Sequence, residues 1–415
     1  MNSYKAIIKE PSVFFWEKIP HKNVRVTFIT YQLSLMKHAT KAIQMVDLKA
    51  QYAKIQEEID RAVLETIRST AFINGPKVKA FQKNLEQYLG AQHVIPCANG
   101  TDALQITLMA LDLKPGDEVI VPAFTYVATA EVIALLRLTP VMVDVDPDTF
   151  NITAEIAEAA ITPRTKAIVP VHLFGQSCDL TPIMALAKKF NLYVVEDNAQ
   201  AIGADYTLPD GARQKTGTIG HIGCTSFYPS KNLGAYGDGG AISTNDDELA
   251  AKIRMIANHG QNKRYYHDMV GVNSRLDSIQ AAVLDIKLRY LDDYASGRQK
   301  AADYYDQAFD NMPQIQTPKR QHNSTHVFHQ YTLLVPDGTR DDLQVYLRER
   351  GIPSMIYYPV PLYEQNAYKN IISEPIDKLP VTDELCRRVI SLPMHSELEE
   401  KQLEAIVEGV RGFFK

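Results

Sequence analysis

Thr225-Ser226-Phe227-Tyr228-Pro229-Ser230-Lys231-Asn232-Leu233-Gly234 is the stretch on which the reading of this chain turns. Ile222-Gly223-Cys224-Thr225-Ser226-Phe227 has the pattern of a strand, and Gly234-Ala235-Tyr236-Gly237-Asp238-Gly239-Gly240 is a loop with little side-chain bulk. A lysine ordinarily stays in water because its ammonium loses hydration on burial. At a strand end, beside backbone that a ligand can approach closely, desolvation and neighbouring cationic character lower its pKa. The amine is then free to condense with a carbonyl compound. Taken alone, the stretch is equally a solvated loop lysine. Asp197, upstream, shifts the balance.

Asp197 ends Leu192-Tyr193-Val194-Val195-Glu196-Asp197, a short β-branched run of the kind that forms a buried parallel strand. A carboxylate there needs a cationic or hydrogen-bonding partner. Pyridoxal 5'-phosphate offers one, since its ring nitrogen is an effective electron sink only while protonated. The plainer alternative is an Asp capping the next helix through Asn198-Ala199-Gln200. Gln200 follows on the same side of the turn, where it could donate to the ring hydroxyl. Cys97-Ala98-Asn99-Gly100-Thr101-Asp102-Ala103-Leu104 follows the strand-like His93-Val94-Ile95-Pro96 and opens an apolar helix to about Leu111. Gly100 and Thr101 at a helix start offer free N–H groups to a phosphate, although the same residues read as a turn and N-cap. Ser226 adds a hydroxyl. Pro122-Ala123-Phe124-Thr125-Tyr126-Val127-Ala128-Thr129 leaves the strand Glu118–Val121. Phe124 reads as core and Tyr126 as the ring that stacks.

In this order the motifs resemble the sugar aminotransferases of the DegT/DnrJ/EryC1/StrS family. The resemblance runs from about Met45 to the C-terminus and includes Gly271-Val272-Asn273-Ser274-Arg275-Leu276-Asp277 and Ser391-Leu392-Pro393-Met394-His395. It implies an α/β chain of fold-type I, with a mainly parallel sheet in a large pyridoxal-phosphate domain and a smaller C-terminal α/β domain. Lys231 is implied to hold the cofactor and then shuttle a proton, with Asp197 on the ring nitrogen and Gln200 at the ring oxygen. Gly100, Thr101 and Ser226 would take the phosphate, and Tyr126 the ring face. Asn273 would reach the phosphate of a neighbouring subunit and Arg275 the sugar nucleotide, which implies a homodimer with shared sites. The implied reaction is ping-pong transamination of a nucleotide-linked keto-sugar with glutamate as donor, for surface polysaccharide or lipopolysaccharide synthesis in the cytoplasm. Within the family, the resemblance points to members acting on UDP-2-acetamido-2-deoxy-3-oxo-glucuronate, other UDP- or dTDP-3-keto or 4-keto hexoses being the alternative. Those members tend to have His-Tyr-Pro-x-Pro-Leu where this chain has Tyr357-Tyr358-Pro359-Val360-Pro361-Leu362, so Tyr357 and Tyr358 are candidate substrate contacts.

A dehydratase of the same fold would replace the lysine with histidine, and Lys231 counts against it. A pyridoxal-phosphate-binding regulator would lose Lys231 or Asp197, or gain a basic DNA-reading helix pair. At 415 residues and 45% hydrophobic content the chain can form two lobes, and a net charge of −5 argues against a nucleic-acid binder. Cys97, Cys178, Cys224 and Cys386 lack metal-ligand spacing and fit reduced thiols, so no metal is expected. No apolar run approaches the roughly 20 residues of a membrane span.

Residues 1–44 read as an extension outside the fold, with Met36 a natural start and 1–35 upstream sequence. The large domain is placed at 45–285 and the small one at 286–415. Helices are predicted over Ala53–Arg68 and Pro76 to about Leu89. After them, strands alternate with helical patterns as in a doubly covered parallel sheet, whose ligands sit beyond the strands' carboxyl ends. Ser274 to about Asp310 reads as one long helix.

Overall fold

The computed structural model describes residues 42–369, 371 and 379–415. Residues 43–415 form one compact unit. The expectations for Met36 and residues 1–35 lie outside the described residues.

Helix α1 (Leu48–Ser69) starts earlier than the periodicity predicts, because the Asp47 carboxylate accepts the Ala50 N–H at 2.8 Å and caps the first turn. Helix α2 (Pro76–Leu89) has the predicted limits, set by a proline in its first turn and by left-handed Gly90 after its last. Then come β1 (His93–Cys97), α3 (Gly100–Ala110), β2 (Glu118–Pro122), α4 (Ala128–Leu135), β3 (Thr139–Val143), α5 (Ala154–Ala159) and β4 (Thr165–Ile168). They are followed by α6 (Leu180–Phe190), β5 (Tyr193–Asp197), the short pair β6 (Asp205–Thr207) and β7 (Arg213–Lys215), β8 (Ile222–Ser226) and β9 (Gly240–Thr244).

Seven of these strands form one sheet in the order β1-β9-β8-β5-β4-β2-β3. Only β9 runs against its neighbours; the β2–β3, β2–β4, β4–β5 and β5–β8 pairs are parallel. The chain thus has the mainly parallel α/β sheet that the sequence predicts for a fold-type I chain. Its strands are apolar on both faces: Val119 and Val121 enter one core, and Ile120 between them enters the other. Burying each such side chain contributes roughly 1.5–3 kcal/mol. Because β1, β2, β5 and β8 point the same way, the loops after all four leave from one edge of the sheet.

Helix α7 (Asp247–Ala257) and the small pair β10 (Gln261–Lys263) and β11 (Tyr266–His267) follow. The predicted single helix from Ser274 is two, α8 (Ser278–Leu288) and α9 (Leu291–Phe309). No Gly or Pro marks the break. Tertiary contacts make it: at the junction Arg289 and Tyr290 both donate to the Glu58 carboxylate of α1, at 2.5 and 2.6 Å, while Leu288 and Leu291 bury in one cluster.

The remainder carries β12 (Tyr331–Leu334), α10 (Arg340–Glu349), α11 (Pro380–Arg388), β13 (Val389–Leu392) and α12 (Glu400–Phe413), with β12 and β13 antiparallel. A separate core of Tyr305, Phe309, Leu343, Leu347, Ile406 and Val410 lies here. Leu362 and Tyr368, by contrast, enter a core of the large sheet. We propose to keep the division near residue 285, since every buried residue of the separate core lies beyond it; Ile43, which the sequence reading assigns to the extension, packs against that core.

Candidate active site

The loops at the carboxyl edge of the sheet enclose a cavity of about 660 Å³. Lys231 and Asp197 both line it, as do Gly100, Thr101, Ser226, Tyr126, Gln200, Tyr357 and Tyr358. Asn273 and Arg275 do not. Asn273 pairs with Asn258 in an isolated bridge, and the intervening Ser274 is buried, accepting the Ala98 N–H at 3.0 Å.

Asp197 is 5% exposed at the end of β5. Its Oδ2 accepts the Thr129 hydroxyl at 2.7 Å and its Oδ1 the Ala199 N–H at 3.2 Å. Burial raises its pKa above the ordinary carboxylate value, opposed by these two bonds and by the charge of Lys231. A buried acid held in this way asks for a cation. The Ala199 bond is local, as the capping alternative requires, but the carboxylate also faces the cavity.

Lys231 enters from the turn after β8, where its N–H donates to Tyr228 O at 2.8 Å. Burial lowers its pKa to about 8, against the upward pull of Asp197. Near neutrality a usable fraction of its amine is therefore unprotonated, as a nucleophile or proton carrier needs.

Helix α3 points its first turn into the same space. Asn99 caps it by accepting the Asp102 N–H at 2.8 Å, while the N–H groups of Gly100 and Thr101 have no intrahelical carbonyl to meet. A Cβ on Gly100 would stand 2.6 Å from the Ser226 Cβ, so only glycine lets the two loops close into a cradle. Free N–H groups, a helix N-terminus and the Ser226 hydroxyl suit a phosphate.

Tyr126 is 57% exposed in the cavity, whereas Phe124 is buried against Phe150 and Phe174, as the sequence reading places them. Gln200 is held at both ends: Oε1 accepts the Phe174 N–H at 2.7 Å and Nε2 donates to the Tyr358 hydroxyl at 3.2 Å. Burial pushes the Tyr358 hydroxyl well above its usual pKa, so it stays neutral.

Sequence reasoning missed several neighbours. Thr129 lies inside a motif quoted for its aromatics, and its bond to Asp197 joins the first turn of α4 to the end of β5. His172 and Glu196, both fully buried, meet at 2.8 Å, and the Glu196 carboxylate also accepts the N–H groups of Gly217, Ile219 and Gly220. Because His172 Nδ1 accepts the Cys178 N–H, its Nε2 carries the proton given to Glu196. The backbone N–H of His172 in turn donates to the backbone oxygen of Asp197 at 3.0 Å. His329 lines the cavity and is kept neutral by burial, with Lys231 and Arg298 acting in the same direction. No local pattern flags these residues.

A family model described as the DegT/DnrJ/EryC1/StrS aminotransferase family matches residues 53–411. The chain belongs to this family. The aminotransferase is 47% identical over 364 residues to the UDP-2-acetamido-2-deoxy-3-oxo-D-glucuronate aminotransferase of Pseudomonas aeruginosa, covering 88% of this chain and 98% of that one. It is 45% identical over 375 residues to a pleiotropic regulatory protein of Geobacillus stearothermophilus, with 90% and 99% covered. Among solved structures it is similar to S. venezuelae DesV in complex with a ketimine intermediate, at a TM-score of 0.86 and 38% identity over 90% of this chain and 99% of that one. The aminotransferase is therefore a pyridoxal-phosphate enzyme of nucleotide-sugar biosynthesis. Among the described residues no group of His, Cys, Asp and Glu is arranged to hold a metal ion, and no helix is long and apolar enough to cross a membrane.

Proposed function

We propose that the enzyme transfers an amino group from glutamate to the 3-keto carbon of UDP-2-acetamido-2-deoxy-3-oxo-glucuronate. The observation that carries the reaction is a partly desolvated lysine amine and a buried carboxylate sharing one cavity. The sugar rests on the similarity to the Pseudomonas aeruginosa enzyme.

Pyridoxal phosphate, when bound, supplies an aldehyde that condenses with amines and a ring that stores an electron pair. The chain does the rest. Asp197, oriented by Thr129, would hold the protonated ring nitrogen. Gly100, Thr101 and Ser226 would hold the phosphate, Tyr126 would flank the ring, and Gln200, fixed by Phe174 and Tyr358, would face the ring oxygen. The Lys231 Nζ would accept and return a proton there, a role suited to an amine whose pKa lies near the working pH. Tyr357 and Tyr358 line the sugar side.

The proposal includes a homodimer in which Asn273 and Arg275 of one protomer complete the other's site. In its favour, neither residue lines the cavity of its own chain. Helix α1 also presents exposed Leu64 and Ile67 beside an apolar recess of about 560 Å³ that includes Val63 and Tyr236. A cytoplasmic site of action, feeding lipopolysaccharide or related surface polysaccharide, fits four free, buried cysteines. A regulatory role, the name carried by the Geobacillus stearothermophilus relative, would not need Lys231 and Asp197 together in a cavity.

Reverse transamination of a panel of UDP- and dTDP-amino sugars with 2-oxoglutarate tests the reading. Turnover confined to UDP-linked 3-amino uronates is expected; preference for a 4-amino or dTDP-linked sugar would replace the proposed substrate.

A further inference from the structure

Lys287 is a second buried lysine that the reaction does not use. It lies on α8, is 1% exposed, and donates from Nζ to Gly234 O at 2.5 Å. Its ammonium also lies 5.4 Å from the centroid of the Tyr236 ring. No carboxylate pairs with it among the described residues, and its one charged neighbour of note, Arg298, is another cation. Burying an ammonium without an anion is costly, and a methionine would fill the same space without that cost. What the chain gains is a fixed carbonyl three residues past Lys231.

The surrounding contacts act on the same loop. Gln280, also on α8, accepts the Tyr236 N–H at 2.8 Å and donates to Tyr236 O at 3.3 Å. Ala235 N–H donates to Phe227 O at 2.8 Å, which closes the turn, and a Cβ on Gly234 would stand 2.2 Å from Pro229 O. Beyond the loop, Asn232 donates to Val327 O at 2.9 Å, while buried Arg298 donates to the carbonyls of Phe328, His329 and Met394. Helix α8 thus grips the segment after Lys231 at Gly234 and at Tyr236, and the Gly234 grip uses a charge.

We propose that Lys287 is a positioning residue for Lys231: by holding the Gly234 carbonyl from behind, it fixes the Tyr228–Gly237 loop so that the Lys231 amine is presented to the cavity. This rests on the reading of Lys231 as the amine that takes the cofactor. Its chemistry is that of an ion–dipole clamp, in which a buried cation outcompetes a neutral donor for a backbone oxygen.

The test uses the full chain as wild type, Lys287→Met, Lys287→Arg and Gln280→Ala, prepared without cofactor and compared at a temperature below every melting point. The rate at which added pyridoxal phosphate attaches to Lys231 is followed by absorbance and confirmed by borohydride reduction and peptide mapping. Hydrogen exchange of peptides spanning Tyr228–Gly237 in the cofactor-free protein supplies a readout independent of the cofactor. Lys287→Met is expected to slow attachment about tenfold or more and to speed exchange in this loop alone, with Lys287→Arg within about threefold of wild type. Gln280→Ala, which removes the neighbouring grip without touching a buried charge, is expected to slow attachment about threefold, and it carries the test if Lys287→Met does not fold. Wild-type attachment rates in Lys287→Met, or in Gln280→Ala should that variant stand alone, would overturn the proposal. Equal slowing in Lys287→Met and Lys287→Arg with unchanged loop exchange would also overturn it, since that pattern is lost packing. If wild type itself attaches no cofactor at Lys231, the reading of Lys231 falls and takes this role with it. Attachment in wild type that is unaltered in the variants removes the role of Lys287 alone.

Discussion

Lys231 and Lys287 are both drawn down to about 8 by desolvation, yet they are suited to different work. Lys231 lines a cavity opposite a carboxylate, and Lys287 is sealed behind the loop with a carbonyl as its partner. A lowered pKa is therefore a statement about solvent, not about catalysis. Access to a ligand and the identity of the facing group separate a reacting amine from a clamp.

The sharpest break between the two is substitution of each. Lys231→Ala is expected to abolish turnover, a fall of at least 10²–10⁴-fold, while still binding pyridoxamine phosphate, as equilibrium dialysis would show. Sugar amination by that variant would end the distinction. Asp197→Asn follows, with kcat lowered roughly 10²–10³-fold in single-turnover assays, because the proposed partner of the ring nitrogen loses its charge. Thr129→Ala should cost about tenfold, the scale of one hydrogen bond to a charged group, with the loss in kcat rather than KM.

Titration sharpens the comparison further. Only the neutral amine of Lys231 attacks an aldehyde, so the rate of cofactor attachment should fall about tenfold per pH unit below 8 and level off above it. Lys287 leaves its mark on stability instead. Its folded pKa lies below its unfolded value, so the charged form is penalised in the folded state below pH 8. That penalty fades as pH rises from 8 toward the ordinary lysine value near 10.5. Comparing chemical denaturation across this window, the stability of Lys287→Met relative to wild type should move against the variant as pH rises. A difference independent of pH would mean that Lys287 titrates alike in the folded and unfolded chain, so that burial does not penalise its charge.

Much of the site was legible because each of its parts follows a strand. Gly100 and Thr101 come after β1, Tyr126 after β2, Asp197 and Gln200 at and after β5, and Ser226 and Lys231 at and after β8. A parallel sheet delivers such positions to one edge whatever its strand order. Tyr357 and Tyr358 were found only through the family pattern, and the structure lines the same cavity with them. The neighbours that tune these residues were not legible. Thr129 meets Asp197 across 68 residues of sequence, and Lys287 meets Gly234 across 53. The break between α8 and α9 escaped for the same reason, since Glu58 of α1 helps hold it and no local residue announces it.

The sequence by itself determined most of the strands and helices, the side chain at each strand's end, and hence the kind of chemistry, because hydrophobic period and turn composition act over a few residues. Only the tertiary structure decided which groups share a cavity, which lysine is sealed and what holds the loop between them. Desolvation and hydrogen-bond partnership depend on what the rest of the chain places alongside, and no window of sequence contains that.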